Sequence, residues 1–279
     1  MVFDDRSWFL RDFLWLWFKR LAAINSCFRA NVTVVNLAAE MTFKWIITLE
    51  DEARYREFVS KYETGPLVKE RWERNVQRTN LVISKDIVWE RVVSCLLTTQ
   101  QKSGRGSRVN RFIHSEAQLL SFPFCRESES LADLVTTSLK AAGLRRTDRI
   151  AVEVVHAMDA FKNNWQEFES ELNKLNEHST VGTERIAARW IQTKLSGFGP
   201  KQSRNLLQWL GLSQHEIPLD SRMIKVLKSL NFPVPLSATA LADENYYCFI
   251  EDGLQDMLAH IGVIPCIFDA CAFASFERD

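Results

Sequence analysis

Two residues carry the chemistry that this chain can be read for. Lys201 supplies an amine, and nineteen positions later Asp220 supplies a carboxylate. The amine follows a tight Gly197-Phe198-Gly199-Pro200 turn and opens an apolar-periodic helix through Leu206, Leu207 and Leu210. Glycine permits positive φ and close backbone approach, so the turn can present bare N–H groups at a helix N-terminus, a ready anion site that a nucleic-acid phosphate would fit. In the first helical turn the positive end of the dipole disfavours a second positive charge on Lys201. With partial burial this lowers the lysine pKa and favours a neutral, nucleophilic amine. Asp220 precedes Ser221-Arg222-Met223-Ile224 and reads as an N-cap, whose N–H donors keep a carboxylate ionised and able to stabilise a developing cation. The same residues also fit an ordinary helix–helix turn with a solvated lysine and a plain cap.

Three pieces in one order resemble a known family. Residues 195–222, LSGFGPKQSRNLLQWLGLSQHEIPLDSR, resemble the helix-hairpin-helix, Gly/Pro-rich loop and Asp signature of the DNA glycosylase superfamily. A lysine at the end of the hairpin resembles its bifunctional glycosylase/lyase branch, and GFGPK with PLDSR is most similar to archaeal-type 8-oxoguanine enzymes. Trp89–Gln101, WERVVSCLLTTQQ, resembles the family helix whose terminal amide fills the gap left by an extruded base. Gly143–Ile150, GLRRTDRI, resembles the loop that wedges the duplex. The resemblance covers about residues 80–270.

The resemblance implies a mainly all-α fold. Two helical subdomains would carry a helix-hairpin-helix motif and a cleft between them, with a small N-terminal strand/helix addition. The expected divisions are 1–40 as an extension, 41–88 as the start of the first subdomain, 89–200 as a helical subdomain, and 201–279 completing the cleft. It implies Lys201 as nucleophile and Asp220 as electrostatic stabiliser. Gln100, Gln101, Arg105, Leu144, Arg145, Arg146, Gly197, Gly199 and Arg222 would contact DNA. Asn205, Trp209 and Phe268 would line a base pocket. A monovalent cation, Na⁺ or K⁺, would sit on the carbonyls of Thr193, Leu195 and Phe198. The partner is then double-stranded DNA bearing a modified base, because a glycosidic bond inside a duplex is reached only by extruding the nucleotide. The protein is expected to be a monomer. The residue wording points to 8-oxoguanine. A bulky modified base of phage DNA, excised in anti-phage defence, uses the same chemistry, and a non-catalytic helix-hairpin-helix DNA-binding protein is the reading outside enzymology.

Composition sets limits. The 279 residues are 46% hydrophobic, enough for a large core. Thirty-five basic residues balance 35 acidic ones, so DNA affinity must come from a local basic face. Lys102, Arg105, Arg108 and Arg111 form one such run, and Arg145, Arg146 and Arg149 another. The six cysteines (Cys27, Cys95, Cys125, Cys248, Cys266, Cys271) contain no CxxC, and their spacing does not match that of iron–sulfur glycosylases. No cluster and no other cofactor is expected, and scattered thiols suit a reducing cytoplasm. The five histidines show no metal spacing.

Trp8–Ile24 is aromatic and apolar but interrupted by Arg11, Asp12, Lys19 and Arg20. It is too short in its apolar run to span a bilayer and reads as an amphipathic helix that packs on the domain, ahead of the alternatives of a partner or a membrane surface. Met41 begins a fresh-looking start, so residues 1–40 also fit a lineage-specific or mis-assigned extension. Phe43–Leu49 alternates like a strand and Glu50–Tyr62 reads as a helix. Periodicity and breakers then predict helices over 67–79, 85–101, 104–113, 115–121, 129–140, 146–162, 164–177, 183–195, 200–210, 221–230, 237–240 and 243–260, and near 265–275.

Overall fold

The computed structural model describes residues 44–79, 81–115 and 118–277. The expectations for residues 1–40 and for Phe43 lie outside them. Ile47–Asp279 forms one compact unit. Among its described residues there are twelve α-helices and no strand. The predicted strand is therefore corrected to an irregular lead-in over residues 44–48, with Leu49 already helical. It has no neighbouring strand to pair with, and a lone strand lacks the ladder that would stabilise it. Thr48 ends the lead-in with a capping box: its hydroxyl accepts from Asp51 N at 3.2 Å, and Asp51 Oδ2 accepts from Thr48 N at 3.0 Å. Helix α1 (Leu49–Tyr62) starts there.

The chain continues through α2 (Pro66–Arg71) and a π-helical turn (Trp72–Val76), which divides the helix expected over 67–79. Helix α3 (Lys85–Leu97) stops four residues early, where the Thr98 and Thr99 hydroxyls take the Cys95 carbonyl. Helix α4 (Arg108–Ile113) waits for its Ser107 cap. Helix α5 (Phe122–Glu127) was read as a break because of Pro123. Proline in a first turn lacks only an N–H that would be orphaned anyway, and Ser121 caps the helix. Then follow α6 (Leu131–Ala141) and α7 (Thr147–Glu177), a single run broken only at Asn164. Helices α8 (Val181–Lys194), α9 (Pro200–Trp209), α10 (Ser221–Ser229), α11 (Glu244–Ile261) and α12 (Pro265–Ala274) complete the unit.

Two hydrophobic cores organise these helices. The first gathers side chains from α3 to α9, with Trp89 fully buried and edge-on to Phe122 and Phe161. The second joins α1 and α2 to α10, α11 and α12, so the two ends of the unit share one core. Helix α9 packs into the first core and is tied by charge to α11 of the second. Leu206, Leu207 and Leu210 enter the first core. On its other side Arg204, fully buried, pairs with Glu216 at 2.8 Å, Glu251 at 2.9 Å and Glu244 at 3.0 Å, and its guanidinium lies 4.4 Å from the Tyr247 ring centroid.

The loop from α9 to α10 is tied from three directions. Glu184 of α8 accepts from the backbone N–H groups of Gln214, His215 and Glu216 at 2.8–2.9 Å and from the Ser213 hydroxyl. Glu251 accepts from Ile217 N at 2.7 Å, and the Tyr247 hydroxyl bridges Ile217 O and Leu219 N. These bonds fix the approach of the chain to Asp220. No single described helix is long and apolar enough to cross a membrane.

Candidate active site

The hairpin between α8 and α9 is built on Gly197. Its φ is +85°, and a Cβ there would stand 2.6 Å from the Glu153 carboxyl carbon and 2.9 Å from Leu96 Cδ2. Only glycine satisfies both the dihedral and the space. Gly199 is extended (φ −98°), caps α9 by its backbone, and is followed by Pro200 in the first turn. The Phe198 N–H donates to the Leu195 carbonyl at 3.3 Å, closing the turn on two of the three residues named for a cation, while the Thr193 hydroxyl bonds the Trp190 carbonyl. The Gly197 and Gly199 amides take no backbone partner among the described residues.

Lys201 and Asp220 line one pocket of about 340 Å³. Lys201 is half-buried, and its amine donates to Gln202 Oε1 at 3.2 Å, a neutral acceptor. Burial lowers its pKa below the ordinary lysine range. Asp220, Cys95 and Asp269 oppose that shift and Arg222 adds to it. Asp220 caps α10, its Oδ1 accepting from the N–H groups of Arg222 and Met223. Asp269 of α12 lies on the same pocket and pairs with Arg71 at 2.8 Å. Burial raises its pKa, against the pull of Arg71. Arg74, also lining the pocket, is pushed down to about 10 by burial first and by Arg71 and Arg91.

Both cores contribute walls. Asn205 and Trp209 of α9 line the pocket, as do Arg105 and Asn110 from the loop before α4 and from α4 itself, and Phe273 from α12. Phe268 does not. It is fully buried, stacked 5.7 Å from Tyr55 and tilted at 5.7 Å from Phe58. Five residues further along α12, on another face of the helix, Phe273 is the aromatic residue that this helix brings to the pocket.

No family model matches the sequence, and no curated protein matches it. Solved structures do match by shape. One is Methanocaldococcus jannaschii 8-oxoguanine glycosylase/lyase in complex with a 15mer DNA containing 8-oxoguanine, at a TM-score of 0.60 and 15% identity over 81% of this chain and 96% of that one. Another is the Thermotoga maritima 8-oxoguanine DNA glycosylase, at 0.60 and 14%, over 82% and 98%. The chain shares the all-α fold of these structures.

Within this fold the remaining sequence candidates separate clearly. Gln101 is committed: its Nε2 donates to the Leu97 carbonyl at 2.7 Å and its Oε1 accepts from Arg145 N at 3.0 Å. Arg145 Nη2 and Arg146 Nη1 bond the Gln100 and Thr99 carbonyls at 2.7 and 3.3 Å, stitching the loop after α3 to the loop before α7. Gln100 is exposed in a left-handed conformation, φ +56°. Leu144, expected as a wedge, is 8% exposed and packs in the first core. The exposed residue of that loop is Arg145. Sequence reasoning missed Asp269, Arg71, Arg74, Arg91 and Gln208, all lining the pocket. Counting three, four and seven residues on from Lys201 would have found Gln208. The arginines gave no comparable signal. The five described cysteines are buried and unpaired, and no three potential metal ligands group together among the described residues.

Proposed function

We propose that this protein is a DNA glycosylase with lyase activity that extrudes a modified base, 8-oxoguanine, from duplex DNA and excises it with Lys201. The observation that carries this reading is the shared pocket of Lys201 and Asp220. The amine there is desolvated, leans on a neutral carboxamide, and makes no ion pair among the described residues. Such an amine offers a lone pair at neutral pH more readily than an ordinary lysine. It attacks C1′ of the deoxyribose, and the base departs with the electrons of the glycosidic bond. Asp220, held by two backbone N–H groups, stabilises the positive charge that develops on the sugar. Loss of a proton and ring opening give a Schiff base between Lys201 and C1′, from which β-elimination breaks the strand on the 3′ side.

The bare amides of the hairpin and the exposed Arg105 and Arg145 suit the phosphates of the duplex. The likeness to glycosylases whose substrate is 8-oxoguanine supports the choice of base. The reading requires no iron–sulfur cluster, and purified protein is expected to be free of iron. Borohydride reduction during reaction with an 8-oxoguanine duplex tests the chemistry. The wild type should give a covalent protein–DNA adduct, and Lys201→Ala should give none while still binding DNA. An undiminished adduct in Lys201→Ala would remove Lys201 from the mechanism.

A further inference from the structure

One polar residue of the pocket wall is not used by this chemistry. Lys201, Asn205, Gln208 and Trp209 all line the pocket, and their spacing of four, three and one puts them on one face of α9. Gln208 is 1% exposed, and neither its amide nitrogen nor its amide oxygen has a hydrogen-bond partner. Its backbone is pinned, with the carbonyl accepting from Asn75 Nδ2 at 2.8 Å. The neighbouring carboxamides are spent. Gln202 donates to the Cys95 carbonyl and Thr99 hydroxyl at 2.6 Å each, and Asn205 donates to Cys95 Sγ at 3.4 Å. A buried amide with both ends unsatisfied is uncommon and costly, which points to a partner that arrives from outside.

We propose that Gln208 is the specificity-determining residue of the pocket, pairing its carboxamide with the lactam edge (adjacent N–H and C=O) of an extruded oxo-base. This rests on the glycosylase reading above. Seven residues of helical rise set Gln208 about 10 Å beyond Lys201, so that an amine at the sugar leaves the amide near the far edge of the base. A carboxamide offers a donor and an acceptor side by side, the complement of a lactam. The guanidinium groups of Arg74, Arg91 and Arg105 on the pocket walls only donate, which favours a base bearing carbonyl oxygens. The amide is shut from bulk water. It reaches the base by rotating about its side-chain bonds, and no hydrogen bond opposes that rotation.

The test separates base reading from sugar chemistry. Gln208→Leu and Gln208→Met are compared with wild type on two duplexes, one with 8-oxoguanine and one with a preformed abasic site. Single-turnover excision of 8-oxoguanine should fall about ten- to hundredfold, the effect of one paired base contact. Borohydride trapping at the abasic site, which has no base to read, should stay at the wild-type rate and so report intact folding. Unchanged excision overturns the proposal, and so does an equal loss on both duplexes. If wild type traps the abasic site but excises none of 8-oxoguanine, uracil and thymine glycol, the lactam assignment is overturned. Failure of wild type to trap the abasic site would instead sink the glycosylase reading.

Discussion

Arg222 holds Asp220 from the side that the helix leaves free. Its Nε and Nη2 approach Asp220 Oδ2 at 3.0 and 2.9 Å, while the backbone of α10 holds Oδ1. The guanidinium carbon in turn lies 3.8 Å from the Phe273 ring centroid. Arg222, expected from the sequence as a DNA contact, is engaged with Asp220 and Phe273. It fixes the rotamer of the carboxylate and adds positive charge near Lys201.

The first prediction concerns pH. Only the neutral amine of Lys201 attacks, and burial lowers its pKa. Adduct formation should rise with pH and level off below about 10.4, the ordinary lysine value. Arg222→Leu removes a neighbouring positive charge that lowers the same pKa, so its rising limb should move to higher pH. Trapping rates measured across the pH range check both. A wild-type limb at or above the ordinary lysine value would contradict the desolvated amine.

Asp220→Asn should fold, because asparagine caps helices as well as aspartate does. It removes one preorganised charge, an effect of about 2.7–4 kcal/mol on a transition state. Single-turnover excision should fall by about two to three powers of ten, with little change in duplex affinity. Near-normal excision would refute an electrostatic role.

Gly197→Ala and Gly199→Ala should part company. A methyl at Gly197 collides with Glu153 and Leu96 and forces a left-handed alanine, whereas one at Gly199 meets nothing within 4 Å. The first should lose about 1–3 kcal/mol in urea unfolding, the usual range for overpacking. The second should fold normally. Equal stabilities would show that the hairpin yields more than its packing suggests.

Glu184→Ala would strip three backbone N–H groups of their acceptor and leave the Ser213 hydroxyl only the Glu216 carbonyl. Orphaned buried donors cost about 1–3 kcal/mol each before relaxation, so a loss of at least about 3 kcal/mol is expected by chemical denaturation. Proteolysis should then cut within Ser213–Leu219 first. Resistance there would mean that Tyr247 and Glu251 suffice to hold the loop.

The proposed catalytic pair, which the structure brings to one pocket, was legible because its cues are local. A turn glycine, a first-turn lysine and an N-cap aspartate each act within a few residues, and helical periodicity located most helices. Pro123 misled because one residue type serves both as a breaker and as a first-turn residue. Phe268 misled because α12 is apolar on nearly every face, so periodicity could not say which phenylalanine meets the pocket. Asp269 and Arg71 were invisible for another reason. They meet only when the two ends of the described unit share a core, and no local pattern records that meeting.

Arg204 carries a consequence for how the molecule comes apart. Helix α9 packs its leucines into one core, and through this arginine it is bound to three carboxylates, two of them on the central helix of the other. Pulling the halves apart would strand buried charge on both sides, a penalty much larger than the loss of the contacts themselves. Unfolding should therefore be cooperative through a helix that also carries the proposed nucleophile. On the glycosylase reading Lys201 sits in the last place to loosen, and the mobility needed to admit DNA must come from the loops around it.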